Sequence, residues 1–151
     1  MSAILLAAGR SERMGTQKAL LPWGEGTLLE YQLDQLSSVP AISEIIVVTG
    51  YNAAALAPAI AGTPLARSVL NTAFDDGKAS SVRTGAAAVG ADADGVLVLA
   101  VDQPRPGPLL GLLVNAHVAG SCAITAPMFE GHRGHPLIFA AALLSELRAV
   151  E

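Results

Sequence analysis

The sequence predicts an α/β domain in three layers, a doubly wound, mostly parallel sheet with helices on both faces. Two observations carry that prediction. Short β-branched apolar runs alternate along the chain with stretches of helical spacing, and such alternation is the pattern of β-α-β units, in which each crossover helix returns the chain to start a parallel strand. Gly, Pro, Asp and Ser also interrupt every apolar run well before the roughly 18 residues that a membrane span needs. In folds of this class ligands bind outside the carboxyl ends of the strands, so functional residues are sought just after each one.

Ala3 to Ala7 reads as the first strand and runs into a glycine-containing loop. Thr27 followed by Glu30 is a capping-box pattern, and Leu29, Leu33 and Leu36 recur at helical spacing. The first long helix is therefore placed at Thr27 to about Ser37, with Pro40 beyond its end. Ile45 to Thr49 is the second strand, and Asn52 stands where it can cap a helix over Ala53 to Ala61. Ser68 to Leu70 is a third, short strand, followed by an Ala-rich helix over Lys78 to Val89. Val96 to Val101 is the fourth, and Pro108 suits the first turn of a helix reaching about Ala119. Ala123 to Ala126 and Leu137 to Phe139 complete the strands, so a β-α-β-α order is read throughout. Leu143, Leu144, Leu147 and Val150 then form a helical apolar face still running at Glu151 without a capping signal. An ordinary terminal helix and a domain cut short of its last element both fit that ending.

The 151 residues suit one compact domain spanning 1–151, a size that buries about two-thirds of its unfolded surface. With 52% apolar and 15% charged residues and no long apolar run, the expectation is a soluble globular protein with no membrane contact. No basic region precedes the first strand, which argues against a secretory signal and makes the cytoplasm the default. Cys122, the one cysteine, lies in an apolar run and reads as a small buried hydrophobe with no chemical role. A net charge of −4 supplies no overall basic field for nucleic acid, whose binding rests on phosphate neutralisation by clustered Lys and Arg.

The loop after the first strand, Gly9-Arg10-Ser11-Glu12-Arg13-Met14-Gly15-Thr16-Gln17-Lys18, departs from that acidic average. Two glycines allow close backbone approach, and three cations accompany one acid. Amide donors with Arg and Lys at a strand's carboxyl end are what a triphosphate needs. The spacing is not that of a P-loop, because Lys18 stands three residues after Gly15 and is followed by Ala19. Nor is it a dinucleotide fingerprint, since the glycines stand six apart. By spacing alone a solvated loop with clustered charges fits equally well.

The longer pattern Leu6-Ala7-Ala8-Gly9-x-Ser11-x-Arg13-Met14-Gly15-x-x-Lys18-x-Leu20-Leu21 resembles the signature of the molybdenum-cofactor nucleotidyltransferases, the MobA-like NTP transferases. That resemblance implies a Rossmann-like fold of the nucleotide-diphospho-sugar transferase type. Ala7-Ala8-Gly9, with Leu21-Pro22-Trp23 and Gly26-Thr27-Leu28-Leu29-Glu30 downstream, looks more like the cytidylyltransferases than the guanylyltransferases, which typically show Ala-Gly-Gly. The resemblance implies CTP (GTP in the guanylyl relatives). It implies nucleotide contacts through the backbone of Leu6, Ala7, Ala8 and Gly9, with Arg13 and Lys18 on the phosphates.

Asp102 directly follows the apolar strand and precedes Gln103 and Pro104, at the rim where a sheet meets ligand. Mg²⁺ takes hard oxygen donors and commonly only one or two protein carboxylates beside phosphates and water, so an isolated Asp suffices. A turn-forming Asp before a Pro-rich loop is the alternative. Asp102-Gln103-Pro104 resembles the family's Asp-Gln-Pro metal motif, which implies that Asp102 holds magnesium.

Asn71, Gly77, Ser80, Ser81, Arg83 and Gly85 resemble the family segment that closes over the nucleotide and helps select its base, although Ser and Arg in a helix's first turn are equally ordinary capping and surface residues. Asp75 and Asp76 read as turn acids. Gly131 to Pro136 resembles the family's Gly-His-Pro element, which implies that Gly134 and His135 face the pterin-bearing acceptor. His132 and His135 lack a third ligand nearby, so zinc is a poor reading. His117 reads as structural, and Trp23 as core.

The activity implied is transfer of CMP to the phosphate of a molybdopterin-type cofactor with release of pyrophosphate, with Arg13, Lys18 and Asp102 as the catalytic set. Contact with a molybdoenzyme or its chaperone follows from the same resemblance. Family members continue into a Gly-Asp-x-Gly-Ala-Arg-like segment bearing a second magnesium ligand, and no such segment occurs here. The expectation is a chain truncated at its C-terminus with turnover in question. Guanylyl transfer, cytidylyl transfer to a sugar or polyol phosphate, and a non-catalytic nucleotide-binding module stay open as alternatives.

Overall fold

The computed structural model describes residues 1–11 and 15–151; Arg13 lies outside the described residues. The chain runs through β1 (Ser2–Leu6), β2 (Pro22–Trp23), β3 (Gly26–Thr27), α1 (Leu28–Ser37), β4 (Glu44–Thr49), α2 (Ala53–Ala61), β5 (Ala66–Leu70) and α3 (Lys78–Ala88). It continues through β6 (Gly95–Ala100), α4 (Gly107–Ala119), β7 (Ile124–Thr125), β8 (Met128–Phe129), β9 (His132–Arg133), β10 (Leu137–Ala140) and α5 (Leu144–Ala149). The main sheet has six strands in the order β5-β4-β1-β6-β10-β7, while β2-β3 and β8-β9 are separate two-stranded ribbons.

β1 is parallel to β4 on one side and to β6 on the other, and β5 adds in parallel to β4. The chain thus moves outward from β1 through β4 to β5 and then jumps back to β6, which makes the β1–β6 boundary the point where strand order reverses. A crevice opens at such a point because successive crossovers leave in opposite directions. Leu5 and Ile45 are fully buried, as are Ile46, Val47 and Val48, as strands covered on both faces demand. Ala3, Leu5 and Ala7 face one core with Leu29, Leu33, Leu56 and Leu110 of α1, α2 and α4. Ile4, Leu6 and Ala8 face the other with Ala86 of α3 and Leu144 of α5. Helices on both sides of the sheet give the three layers.

Five expectations need correction. The order is not β-α-β-α throughout: after α4 the chain makes β7, the β8-β9 ribbon and β10 with no helix between, and β10 is antiparallel to both β6 and β7. Asn52 occupies the cap position of α2 in the left-handed region (φ 49°), so its side chain makes no capping bond. Trp23 is 43% exposed against Tyr31, and Cys122 is exposed, because both sit on short outlying segments rather than on a sheet face. The apolar face at the end of the chain is shorter than its spacing suggested, since α5 stops at Ala149 and Val150 is extended. Thr27, by contrast, closes the full capping box, with Glu30 N donating to Thr27 Oγ1 and Thr27 N donating to Glu30 Oε2.

Candidate active site

The loop leaving β1 is built first by backbone pairing. Ala7 N donates to Val48 O at 2.9 Å, Tyr51 N donates to Ala8 O at 3.0 Å, and Val101 N donates to Leu6 O at 3.0 Å. These bonds tie the ends of β1, β4 and β6 into one rim. A side chain added at Gly9 would meet no protein atom within 4 Å, so the glycine leaves the space above that backbone for a ligand.

Over this rim lies a cleft of about 450 Å³. Its floor is Leu6, Ala7, Ala8 and Gly9; its walls include Lys18, Ala100, Val101 and Asp102 on one side and Phe74, Gly77, Lys78 and Ser81 on the other. Lys18 N donates to Ser11 Oγ at 3.0 Å, and Lys18 Nζ donates to Asp102 Oδ2 at 2.6 Å. Residues 84 apart in sequence thus meet because β1 and β6 are neighbours. A second pair bridges the loop to the far wall: Arg10 donates to Asp75 at 2.7 and 2.6 Å while its guanidinium lies 5.1 Å from the Phe74 ring centroid and 5.5 Å from that of Tyr51. The Arg10 hydrogen bonds hold the Asp75 carboxyl below its ordinary range.

The segment before α3 is self-supporting. Asn71 Nδ2 donates to Ser80 Oγ at 2.9 Å and to Ser81 Oγ at 3.0 Å, and the Ser80 hydroxyl shares its one proton between the carbonyls of Ala73 and Gly77, each 2.8 Å away. Gly77 has φ 95° and ψ −176°, a conformation restricted to glycine. Ser81 lines the cleft, whereas buried Ser80 serves the segment's own bonding and Arg83 donates to the Val150 carbonyl at 2.6 Å. Gly134 and His135 stand outside the cleft lining; the His135 carbonyl accepts from Arg105 Nε at 3.0 Å, which ties that segment to the stretch carrying Asp102. His117 is buried and bonded through Nδ1 to Thr125 Oγ1 at 2.8 Å, a structural role.

Gln17, Phe74 and Lys78 also line the cleft and carry no role by sequence; Gln103, which the sequence places only within the Asp-Gln-Pro motif, lines it as well. Lys78 carried the only usable signal, a cation directly after a glycine at the start of a helix. Asp75, a turn acid by sequence, pairs with Arg10 65 residues away. The oxygens Gln17 Oε1 and Gln103 Oε1 are buried without a hydrogen-bond partner among the described residues. Among the described residues no group of three His, Cys, Asp or Glu could hold a metal, so the donors suited to a cation here are the Asp102 carboxylate and the neighbouring Gln103 amide oxygen. Both are hard oxygens, which fits a magnesium-class ion sharing its coordination with substrate phosphates and does not fit zinc. No helix among the described residues is long and apolar enough to cross a membrane.

Comparison with known proteins agrees with this fold. The family model described as MobA-like NTP transferase domain matches residues 3–151. The chain is 33% identical over 150 residues to nicotine blue oxidoreductase of Paenarthrobacter nicotinovorans, covering 95% of this chain and 72% of that protein. It is 34% identical over 89 residues to molybdenum cofactor cytidylyltransferase of Escherichia coli, covering 59% of this chain and 45% of that one. Among solved structures, Rv0371c of Mycobacterium tuberculosis superposes with a TM-score of 0.86 at 29% identity, covering 99% of this chain and 76% of the other. Its complex with manganese superposes with a TM-score of 0.81 at 27% identity over 99% of this chain and 75% of the other.

Proposed function

The chain belongs to the MobA-like NTP transferase family, a family of nucleotidyltransferases, and from that premise we propose that it transfers CMP from CTP to the terminal phosphate of a molybdopterin-type cofactor, releasing pyrophosphate. The observation that carries the reading is the meeting of Lys18 with Asp102 over the backbone cradle of Leu6 to Gly9, at the reversal point of the sheet. The similarity to a molybdenum cofactor cytidylyltransferase supports CTP and this acceptor.

The acceptor's phosphate oxygen is ionised near neutral pH. It attacks the α-phosphorus of CTP, the bond from that phosphorus to the bridging oxygen of the β-phosphate breaks, and pyrophosphate leaves with the electron pair. No side chain has to remove a proton, so the protein's part is alignment and charge neutralisation. The backbone of Leu6 to Gly9 receives the nucleotide, with Ser81, in the segment braced by Asn71 and Ser80, bounding the base. Lys18 and Arg13 oppose the phosphates, joined by Lys78. Asp102 would hold the magnesium ion, with Gln103 beside it; when bound, the ion neutralises phosphate charge as pyrophosphate departs. The manganese complex of a structural relative supports a divalent ion in this role. Gly134 and His135, tethered through Arg105 to the Asp102 stretch, would receive the acceptor, and a molybdoenzyme or its chaperone would take the product.

Pyrophosphate release, measured with CTP or GTP, with magnesium, and with a molybdopterin-type or a polyol phosphate, tests the proposal. Release with CTP and the molybdopterin acceptor is expected. Release only with GTP or a polyol phosphate would move the assignment within the family. A second reading comes from the oxidoreductase relative: oxidation or reduction of a substrate, with no pyrophosphate from any triphosphate, would select redox chemistry instead.

A further inference from the structure

We propose that Lys18 competes with the divalent cation for the Asp102 carboxylate, so that metal and nucleoside triphosphate bind cooperatively and Lys18 couples them. The identity of the two ligands rests on the nucleotidyltransferase reading above; the coupling rests on the ion pair.

Lys18 Nζ lies 2.6 Å from Asp102 Oδ2, with the two side chains 33% and 40% exposed. The pair joins the loop after β1 to the stretch after β6 on one wall of the cleft, so it is a tertiary contact within the cleft lining. The main chain beneath Lys18 is held by the bond from its N–H to Ser11 Oγ, and the next residue, Ala19, is buried. The long side chain can therefore swing while its root stays in place. An ammonium already in contact with the carboxylate repels a second cation arriving at the same group. Metal binding at Asp102 consequently requires Lys18 to withdraw.

A triphosphate offers Lys18 another anion within the same cleft. Each ligand then favours the separated arrangement that the other needs: the triphosphate draws Lys18 from Asp102, and the metal draws Asp102 from Lys18. Linkage requires each to raise the other's affinity by the same factor. Partly exposed ion pairs are of modest strength, which sets this contribution at about two- to fivefold. In the absence of substrate the lysine stands in for the metal, which suppresses loading of the empty site with stray divalent ions. Lys78 lines the same cleft without an ion pair among the described residues, and it provides an internal comparison for the general effect of removing positive charge.

The test is Mn²⁺ binding to the full chain, read by loss of the free-ion electron paramagnetic resonance signal, first without nucleotide. Lys18→Met is expected to bind Mn²⁺ about two- to fivefold more tightly than the parent, Lys78→Met to gain less, Lys18→Arg to stay near the parent and Asp102→Asn to lose binding. With CTP added, the rise in Mn²⁺ affinity seen in the parent should shrink in Lys18→Met by that same factor. Parent-like or weaker Mn²⁺ binding by Lys18→Met, no binding at all, or a gain no larger than that of Lys78→Met would overturn the proposal. If the metal gain appears but CTP binds to no variant, the cytidylyltransferase reading falls and the competition for Asp102 stands.

Discussion

At the scale of single residues, Lys18 and Asp102 could be found in the sequence because each directly follows or closes a recognisable element, a strand and its glycine loop. Lys18→Ala and Asp102→Ala should each weaken magnesium-dependent CTP binding by roughly 10- to 100-fold, the range for losing a hydrogen bond to a charged group. Calorimetric titration checks this. The Arg10–Asp75 pair could not be found, since its members are 65 residues apart and each alone looks like an ordinary loop charge. Arg10 depresses the Asp75 pKa in the folded state, so the pair's stabilisation is complete above the unfolded carboxylate value of 3.8 and is lost as pH falls through the lower folded value. The clamp is therefore fully formed at neutral pH. Carboxyl NMR should show Asp75 titrating below 3.8 and returning toward that value in Arg10→Gln.

At the scale of elements, capping and periodicity made the helices legible. Thr27 and Glu30 mark the start of α1 by a local three-residue signal, and the reciprocal bonds are present. Thr27→Ala should cost about 1 kcal/mol, read as a fall of about 2–4 °C in Tm for a chain of this size. The packing of α3 on the sheet depends on a position whose importance lies in a close approach: a Cβ at Gly85 would stand 2.5 Å from Ile4 Cγ2 and 3.0 Å from Val48 Cγ2. Gly85→Ala should destabilise by about 1–3 kcal/mol in chemical denaturation, because both neighbours are buried sheet side chains with nowhere to move. The antiparallel setting of β7 and β10 was not legible. An apolar run of two to four residues carries no mark of its direction, and the intervening β8-β9 ribbon lacks the spacing that would have separated it from loop.

At the scale of the whole molecule, the strand order converts two distant sequence signals into one site. The carboxyl ends of β1 and β6 lie side by side at the reversal of the sheet, and this places the glycine loop of one against the carboxylate of the other. The alternation of strands and helices predicted that ligands would lie at such ends, but it could not say which strands are neighbours. Nor could it show that the nucleotide-side segment before α3 is braced by Asn71, with only Ser81 of its two serines reaching the cleft. The measurement closest to the central claim is isothermal titration calorimetry of the chain with CTP and with GTP, each with and without magnesium. CTP binding that is selective, strengthened by magnesium and weakened roughly 10- to 100-fold in both Lys18→Ala and Asp102→Ala is the predicted result. Binding of neither nucleotide, or binding that both substitutions leave intact, would contradict the assignment of this cleft as a nucleotidyltransferase site.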